Sequence, residues 1–277
     1  MGKLKNKTLT PYFKGATLMS CWNGSITDLV RPGIPEQVPC LLQEICTRVP
    51  DSIADAYEFL SSLDLLVQYI YGDGAEQDVD DELFLTFPFI DGAEIPDDVE
   101  MVRGYIGTQV SKYHAETLHQ HVALVAANLV NHGVDEKLAA LLAVFHDVGK
   151  KYTGATNKVG EMCFYGHAEL SAFIAGHWLR EMRSYQVARR LTAVIYGHML
   201  PLTAWNKGKT PWSEFTGPQL KKMFREELET LLGAKREVDM VMRLIDTFSK
   251  CDEGLRLFHE ESLAKIARGE QLIAKFS

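Results

Sequence analysis

The five cysteines, Cys21, Cys40, Cys46, Cys163 and Cys251, include no Cys-x-x-Cys pair. An odd, scattered set of this kind excludes a disulfide framework and a thiolate zinc ribbon, and leaves reduced thiols in a cytoplasmic protein as the expectation. Long apolar runs are missing too. None reaches the ~20 residues of a membrane helix, so no membrane partner is expected. Residues 1–7 are basic, but no apolar stretch follows that would make a secretory signal. Asn6 stands where a myristoylated chain prefers Ser or Thr. Positive charge is in deficit: 29 Lys and Arg against 37 Asp and Glu give a net charge of −8. That excludes a global basic field and an extensive nucleic-acid surface, while leaving room for a local phosphate groove.

What remains is 277 residues, 46% hydrophobic and 24% charged, a composition of soluble globular proteins with a sizeable core. Residues 1–36 are punctuated by Gly and Pro and read as irregular. Residues 37–49 and 51–71 carry apolar residues at helical spacing. The acidic run 73–82 reads as a solvated loop, since it lacks calcium-loop spacing. Pro88 demotes the aromatic stretch 83–90 to an edge strand or packed loop. From Pro96 the pattern is helical almost throughout. Helices are expected at about 97–131, from Asp135 through His146, and at 167–182, 185–197, 217–231, 235–257 and 259–275. Long loops fill 151–165 and 199–216. The fold class is therefore all-α. Its parts are a poorly defined, mostly helical N-terminal extension (1–96) and a helical bundle domain (97–277).

Chemistry concentrates on Phe145-His146-Asp147-Val148-Gly149-Lys150. An unbroken apolar run, 138–144, delivers an adjacent His-Asp pair to the inner end of a buried helix. Such a pair costs several kcal/mol unless something satisfies it, and a metal ion does so most economically. Candidate co-ligands lie on both sides. His121 shares a helix face with Val125 and Leu129, whereas His119 points to another face and is its rival. His167 begins a helix in Tyr165-Gly166-His167-Ala168-Glu169. His198 ends one in Tyr196-Gly197-His198. Asp252 closes a strongly apolar helix in Lys250-Cys251-Asp252-Glu253-Gly254, with Asp246 as the alternative. Imidazole and carboxylate donors suit Mn, Fe, Co, Ni or Zn, and Mg less well. His114, His132, His177 and His259 have no partners at ligand spacing and are expected to be structural or exposed.

The ordered set His121, His146-Asp147, Asp252 resembles the HD-domain superfamily of metal-dependent phosphohydrolases, over roughly residues 100–258. The Gly-His-Ala-Glu element at 166–169 is similar to one in the HD-like domains of bacterial tRNA nucleotidyltransferases. It departs from that pattern by the inserted Ala168, and no role passes to Glu169. The resemblance implies an HD-type helical bundle with His121, His146, Asp147 and Asp252 around one divalent ion. His167 and His198 stand in the order of second-ion ligands, with Asp147 bridging, so one or two ions are implied. It also implies attack of a metal-activated water on phosphorus, with Lys150 neutralising phosphoryl charge. Lys151 and Lys158 are lesser phosphate contacts. His167 is either a ligand or the proton donor to the leaving oxygen.

The substrate expectation is a nucleotide or short oligonucleotide, with a 2′,3′-cyclic phosphodiesterase or phosphatase activity as one form. Nucleoside monophosphate or dNTP hydrolysis is the alternative. An inactive nucleotide-binding regulatory module is the alternative from another class, and a homo-oligomer is compatible with either. Trp205 and Trp212 are candidates for a lid over a base. Lys207, Lys209, Lys221, Lys222 and Arg225 are candidates for a phosphate groove.

Overall fold

The computed structural model describes residues 16–24, 42–43, 45–58, 114, 116–153, 155–156, 162–164, 166–202, 218–255 and 259–276. Several sequence expectations lie outside these residues: the acidic run 73–82, the stretch 83–90, Lys158, Trp205, Lys207, Lys209 and Trp212. So do the side chains of Lys151, Lys221 and Lys222.

A short helix, α1 (Leu18–Asn23), opens the described chain under a capping box between Thr17 and Ser20. Its Cys21 and Trp22 are buried against the later helix α5 (His167–Met182). The Leu18 amide also donates to Glu227 at 2.6 Å. Helical turns at 45–47 and 53–58 follow. They are tied to the core by the Trp178 indole N–H donating to the Ile45 carbonyl at 2.9 Å and Tyr57 Oη donating to the His119 carbonyl at 2.9 Å.

The next helix, α2 (Leu118–Asn131), does not run on from residue 97 as the periodicity suggested. Thr117 is extended, with φ −74° and ψ 165°, and forms a capping box with Gln120. The Thr-x-x-Gln signature breaks the helix where apolar spacing alone read straight through. Residues 97–113 are outside the described part. The tight turn after α2 leads into α3 (Glu136–His146), whose cap Asp135 accepts from the Lys137 and Leu138 amides. Every residue from Ala139 to His146 is buried. A helix apolar on all sides sits at the centre of a bundle, and α3 does, with α2, α5, α6 and α9 around it.

After α3 the chain makes a turn of helix, α4 (Lys150–Thr153), and a two-residue antiparallel pairing of β1 (Ala155–Thr156) with β2 (Met162–Cys163). The loop expected at 151–165 is thus partly ordered by its own pairing. Beyond α5 come α6 (Tyr185–Gly197), α7 (Pro218–Leu232), α8 (Lys235–Cys251) and α9 (Glu260–Ala274). In α8 the buried residues Val238, Val241, Met242, Ile245, Phe248 and Cys251 recur at three and four. That stripe packs against α2, α6 and α7. The helix stops at Cys251, earlier than the expected 257, so Asp252 is its C-cap rather than an interior residue.

A groove of about 710 Å³ lies among α3, α6 and α8, lined by Leu138, Leu141, Val187, Leu191, Met240 and Leu244 with several cationic side chains. It shares no residue with the His-Asp group.

Candidate metal centre

Five helices each bring one part of the site. His121 lies in the first turn of α2, His146 and Asp147 at the end of α3, and His167 at the start of α5. His198 follows the last residue of α6, and Asp252 caps α8. Two glycines make the approach feasible. A side chain at Gly149 would meet the His167 carbonyl at 2.5 Å and the Ser171 amide at 2.8 Å. Its own amide donates to Ser171 Oγ at 2.8 Å, so the turn after Asp147 lies directly on the start of α5. Gly166, with φ +82°, takes the left-handed conformation that starts α5 and places His167 as its first residue.

The imidazoles are oriented alike. Nδ1 of His146 meets the Ala143 carbonyl at 2.8 Å, Nδ1 of His167 the Phe164 carbonyl at 2.7 Å, and Nδ1 of His198 the Ile195 carbonyl at 2.5 Å. A carbonyl only accepts, so Nδ1 is the protonated nitrogen in each. In the neutral ring, Nε2 then presents a lone pair to the site. For His121 a carboxylate does the same work, with Nδ1 3.1 Å from Glu116 Oε1.

All four Nε2 atoms converge on two carboxylates. His121 Nε2 is 2.9 Å from Asp252 Oδ1 and 3.5 Å from Asp147 Oδ2. His146 Nε2 is 3.0 Å from Asp147 Oδ2 and 3.5 Å from Asp252 Oδ1. On the other side of Asp147, Oδ1 is 3.4 Å from His167 Nε2 and 3.9 Å from His198 Nε2, and those two nitrogens are 3.1 Å apart. The result is two groups that share Asp147: His121, His146, Asp147 and Asp252, and Asp147, His167 and His198.

His121 and Asp252 share a hydrogen bond, but the contacts to Asp147 are close and misdirected as hydrogen bonds. His146 Nε2 and both oxygens of Asp147 are buried with no hydrogen-bond partner. That carboxylate is held by ion pairs alone, to Lys150 at 2.6 Å and His146 at 3.0 Å. The His167 and His198 nitrogens face each other as two lone pairs, which repel unless a cation lies between them. Orphaned donor atoms, an all-imidazole-and-carboxylate set and a bridging Asp are what divalent ions require, so the residues fit one. Each group can hold a metal ion.

The titration directions agree. Burial pushes the His167 imidazole down to about 3, and Asp147 only partly opposes this. Burial likewise lowers His198. Both rings are therefore neutral and ligand-ready. Burial also pulls His146 down, but the Asp147 charge beside it outweighs this and holds the ring at about 10. Asp147 and Asp252 lie well below the usual carboxylate range, because neighbouring His146 and His121, and for Asp147 also Lys150, outweigh their burial.

His146 thus carries a proton in the metal-free protein that it must release before Nε2 can ligate. Its pKa is raised from 6.5 to about 10. The pair it forms with Asp147 is at full strength below pH 6.5 and fades as pH rises through 10. Proton and cation compete across that window, so apparent metal affinity is expected to rise with pH up to about 10. Calorimetric titration in two buffers of different ionisation enthalpy measures the effect. Metal uptake at neutral pH without proton release would remove His146 from the ligand set.

Lys150 Nζ stands 2.6 Å from Asp147 Oδ2. The side chains of His121, His146 and Asp147 are at most 1% exposed, against 15% for Asp252, 9% for Lys150 and 8% for His167. The site therefore opens along the Asp252–Lys150–His167 edge. On the opposite side the Phe248 ring closes it, with centroids 5.1 Å from His146 and 5.9 Å from His198.

Every histidine and aspartate assigned from the sequence to the site is in one of the two groups. Of the rivals, His119 turns away, with Nε2 at the Tyr57 carbonyl, and Asp246 is in neither group. His132 and His177 bond to carbonyls of their own helices. Arg225 is held by Asp239 and Glu229 on the surface, which argues against a phosphate-groove role.

Two residues escaped the sequence reading. Glu116, fully buried, accepts from His121 and His114, and its carboxyl is held down at about 2: burial opposes this, but the two imidazole hydrogen bonds outweigh it. His114, expected to have no partner, lies 2.8 Å from Glu116 Oε1. The signal that finds Glu116 is the capping box: it fixes Thr117 as the cap, and so sets residue 116 beside residue 121.

No curated protein and no solved structure matches the chain. The HD-domain family model matches residues 118–246. That stretch carries His121, the His-Asp pair, His167 and His198, and it ends just short of Asp252, which the geometry adds. HD domains are typically metal-dependent hydrolases. Residues 118–246 are thus matched as an HD domain.

Proposed function

We propose that the protein is a metal-dependent phosphohydrolase acting on a phosphate ester of a nucleotide or short oligonucleotide, with a 2′,3′-cyclic phosphodiester as the leading substrate class. The observation that carries the reading is Asp147: both its oxygens are buried without hydrogen bonds, each facing its own set of imidazoles. His121, His146, Asp147 and Asp252 would hold one divalent ion, and Asp147, His167 and His198 a second. The donors favour Mn, Fe, Co, Ni or Zn over Mg. When bound, such ions supply Lewis acidity to phosphoryl oxygens and lower the pKa of water.

The chain's own residues do the rest. Lys150 sits on the partly exposed edge, where its charge offsets negative charge on a phosphoryl group in the transition state. Phe248 keeps the far side of the imidazoles dry, which strengthens electrostatic interactions inside the site. His167 stays neutral and orients toward Asp147. The likeness of residues 165–169 to the tRNA-nucleotidyltransferase element supports the cyclic-phosphate preference.

The test is a screen of protein loaded in turn with Mn, Mg, Co and Ni. Substrates are bis(p-nitrophenyl) phosphate, 2′,3′-cyclic nucleotides, nucleoside monophosphates, dNTPs and short RNAs. Turnover of the cyclic nucleotides with a transition metal is expected. Preference for monophosphates or dNTPs would overturn the substrate class alone. Metal-loaded protein that binds nucleotide but turns nothing over would overturn the enzyme reading in favour of a regulatory module.

A further inference from the structure

Among the described residues, Glu116 is a fully buried carboxylate beside the site that faces none of the ligand-bearing Nε2 atoms. It lies immediately before the cap of α2, and His121 is the fourth residue of that helix. Side chains at these two positions meet across the first turn. In many helices an apolar pair fills them as a hydrophobic staple. Here the staple is ionic, a carboxylate on an imidazole.

Three donors from separate parts of the chain meet the carboxylate. Oε1 takes His114 Nδ1 at 2.8 Å and His121 Nδ1 at 3.1 Å, and Oε2 takes the Leu255 amide at 2.8 Å. Leu255 is three residues beyond Asp252. One side chain therefore grips the back of His121 and the segment that carries Asp252, although those two residues come from helices 131 positions apart in sequence. Two other described hydrogen bonds join the same two elements: His121 Nε2 with Asp252 Oδ1 at 2.9 Å, and Asn128 Nδ2 donating to the Cys251 carbonyl at 3.3 Å.

A carboxylate differs here from the carbonyls behind His146, His167 and His198. It fixes the same tautomer, and its charge raises the basicity of the imidazole as a ligand. It is also the one such partner that spans two elements.

We infer that Glu116 is a positioning residue for the metal centre: it holds His121 with Nε2 toward the ion and sets Asp252 opposite it. The inference rests on the metal-site reading above. In Glu116→Gln the shape stays and the charge goes. The amide cannot accept from both His121 and Leu255, since one of its two ends is a donor.

The test titrates metal-free protein with Mn²⁺, counting free ion by electron paramagnetic resonance, and records the melting temperature of each metal-free variant. Glu116→Gln is expected to weaken Mn²⁺ binding by about 10- to 100-fold, beyond what any fall in the melting temperature of the metal-free variant accounts for. Histidine ¹⁵N spectra of the Zn²⁺-loaded protein should show His121 losing its single Nδ1–H tautomer. Glu116→Asp keeps the charge but is too short to reach both partners, so it should recover part of the affinity and restore the tautomer. It also decides the matter if the Gln variant does not fold. Unchanged affinity and tautomer in a folded variant would overturn the role. So would a loss of binding that tracks melting temperature and is not eased in Glu116→Asp. Wild-type protein that binds no Mn²⁺ would instead remove the metal-site reading itself, and this inference with it.

Discussion

Asp147→Ala is expected to abolish turnover and to empty both halves of the site at once. Among the described residues, no other side chain belongs to both ligand groups. Metal catalysis of phosphoryl chemistry is worth several kcal/mol, and each 1.36 kcal/mol is tenfold in rate. The expected loss is therefore about 10³-fold or more in kcat/KM on a phosphodiester. The alanine also strands His146 and Lys150 without their carboxylate, a change that costs about 3–5 kcal/mol when a buried pair is broken. Asp147→Asn keeps the volume and separates the two effects: it should remain folded and still lose metal and activity. Asp246→Ala, outside both groups, should retain both. Near-wild-type turnover by folded Asp147→Asn would sink the site assignment.

Stripping the metal should produce the largest change in stability. The metal-free site contains three buried polar atoms with no hydrogen bond and two imidazole lone pairs 3.1 Å apart. A ligand at ~1,000 times its dissociation constant stabilises the native state by about 4 kcal/mol. At roughly 2–4 °C per kcal/mol for a chain of this size class, a chelator should lower the melting temperature by about 10 °C. Excess Mn²⁺, Co²⁺ or Ni²⁺ should restore it, and Asp147→Asn should already melt near the stripped value and respond little. If the wild-type melting temperature moves by less than about 1 °C in both directions, the two groups are not a metal centre.

Much of this site could be read along the chain because the decisive cues are local. His146 and Asp147 announce themselves as a polar pair behind an unbroken apolar run. His121 is separated from His119 by helical phase alone, since a two-residue step turns the side chain to another face, where Tyr57 receives it. The helical class followed from spacing, and only the boundaries moved. Thr117 breaks the first long helix by a capping interaction that a count of apolar positions does not register. Cys251 ends α8 because the next residue turns toward the site. The short pairing of β1 with β2 had no signal in two residues each.

Other features depended on which ends of which helices meet. Asp246 and Asp252 are both acidic residues near the end of one amphipathic helix, and nothing nearby separates them. Asp252 prevails because α8 ends against α2, through Asn128 and through Glu116 at Leu255. Glu116 itself is an ordinary acidic residue until its partner 139 positions away is in place. That Asp147 faces four imidazoles rather than one is likewise a property of the assembled bundle. The amino-acid sequence by itself determined the helical class, the central His-Asp pair and the inward face of His121, because these rest on periodicity and near neighbours. Tertiary structure alone decided that the ligands form two groups sharing one carboxylate, and that Glu116 stands behind them. Those relations depend on long-range contacts between helix ends, which no local spacing encodes.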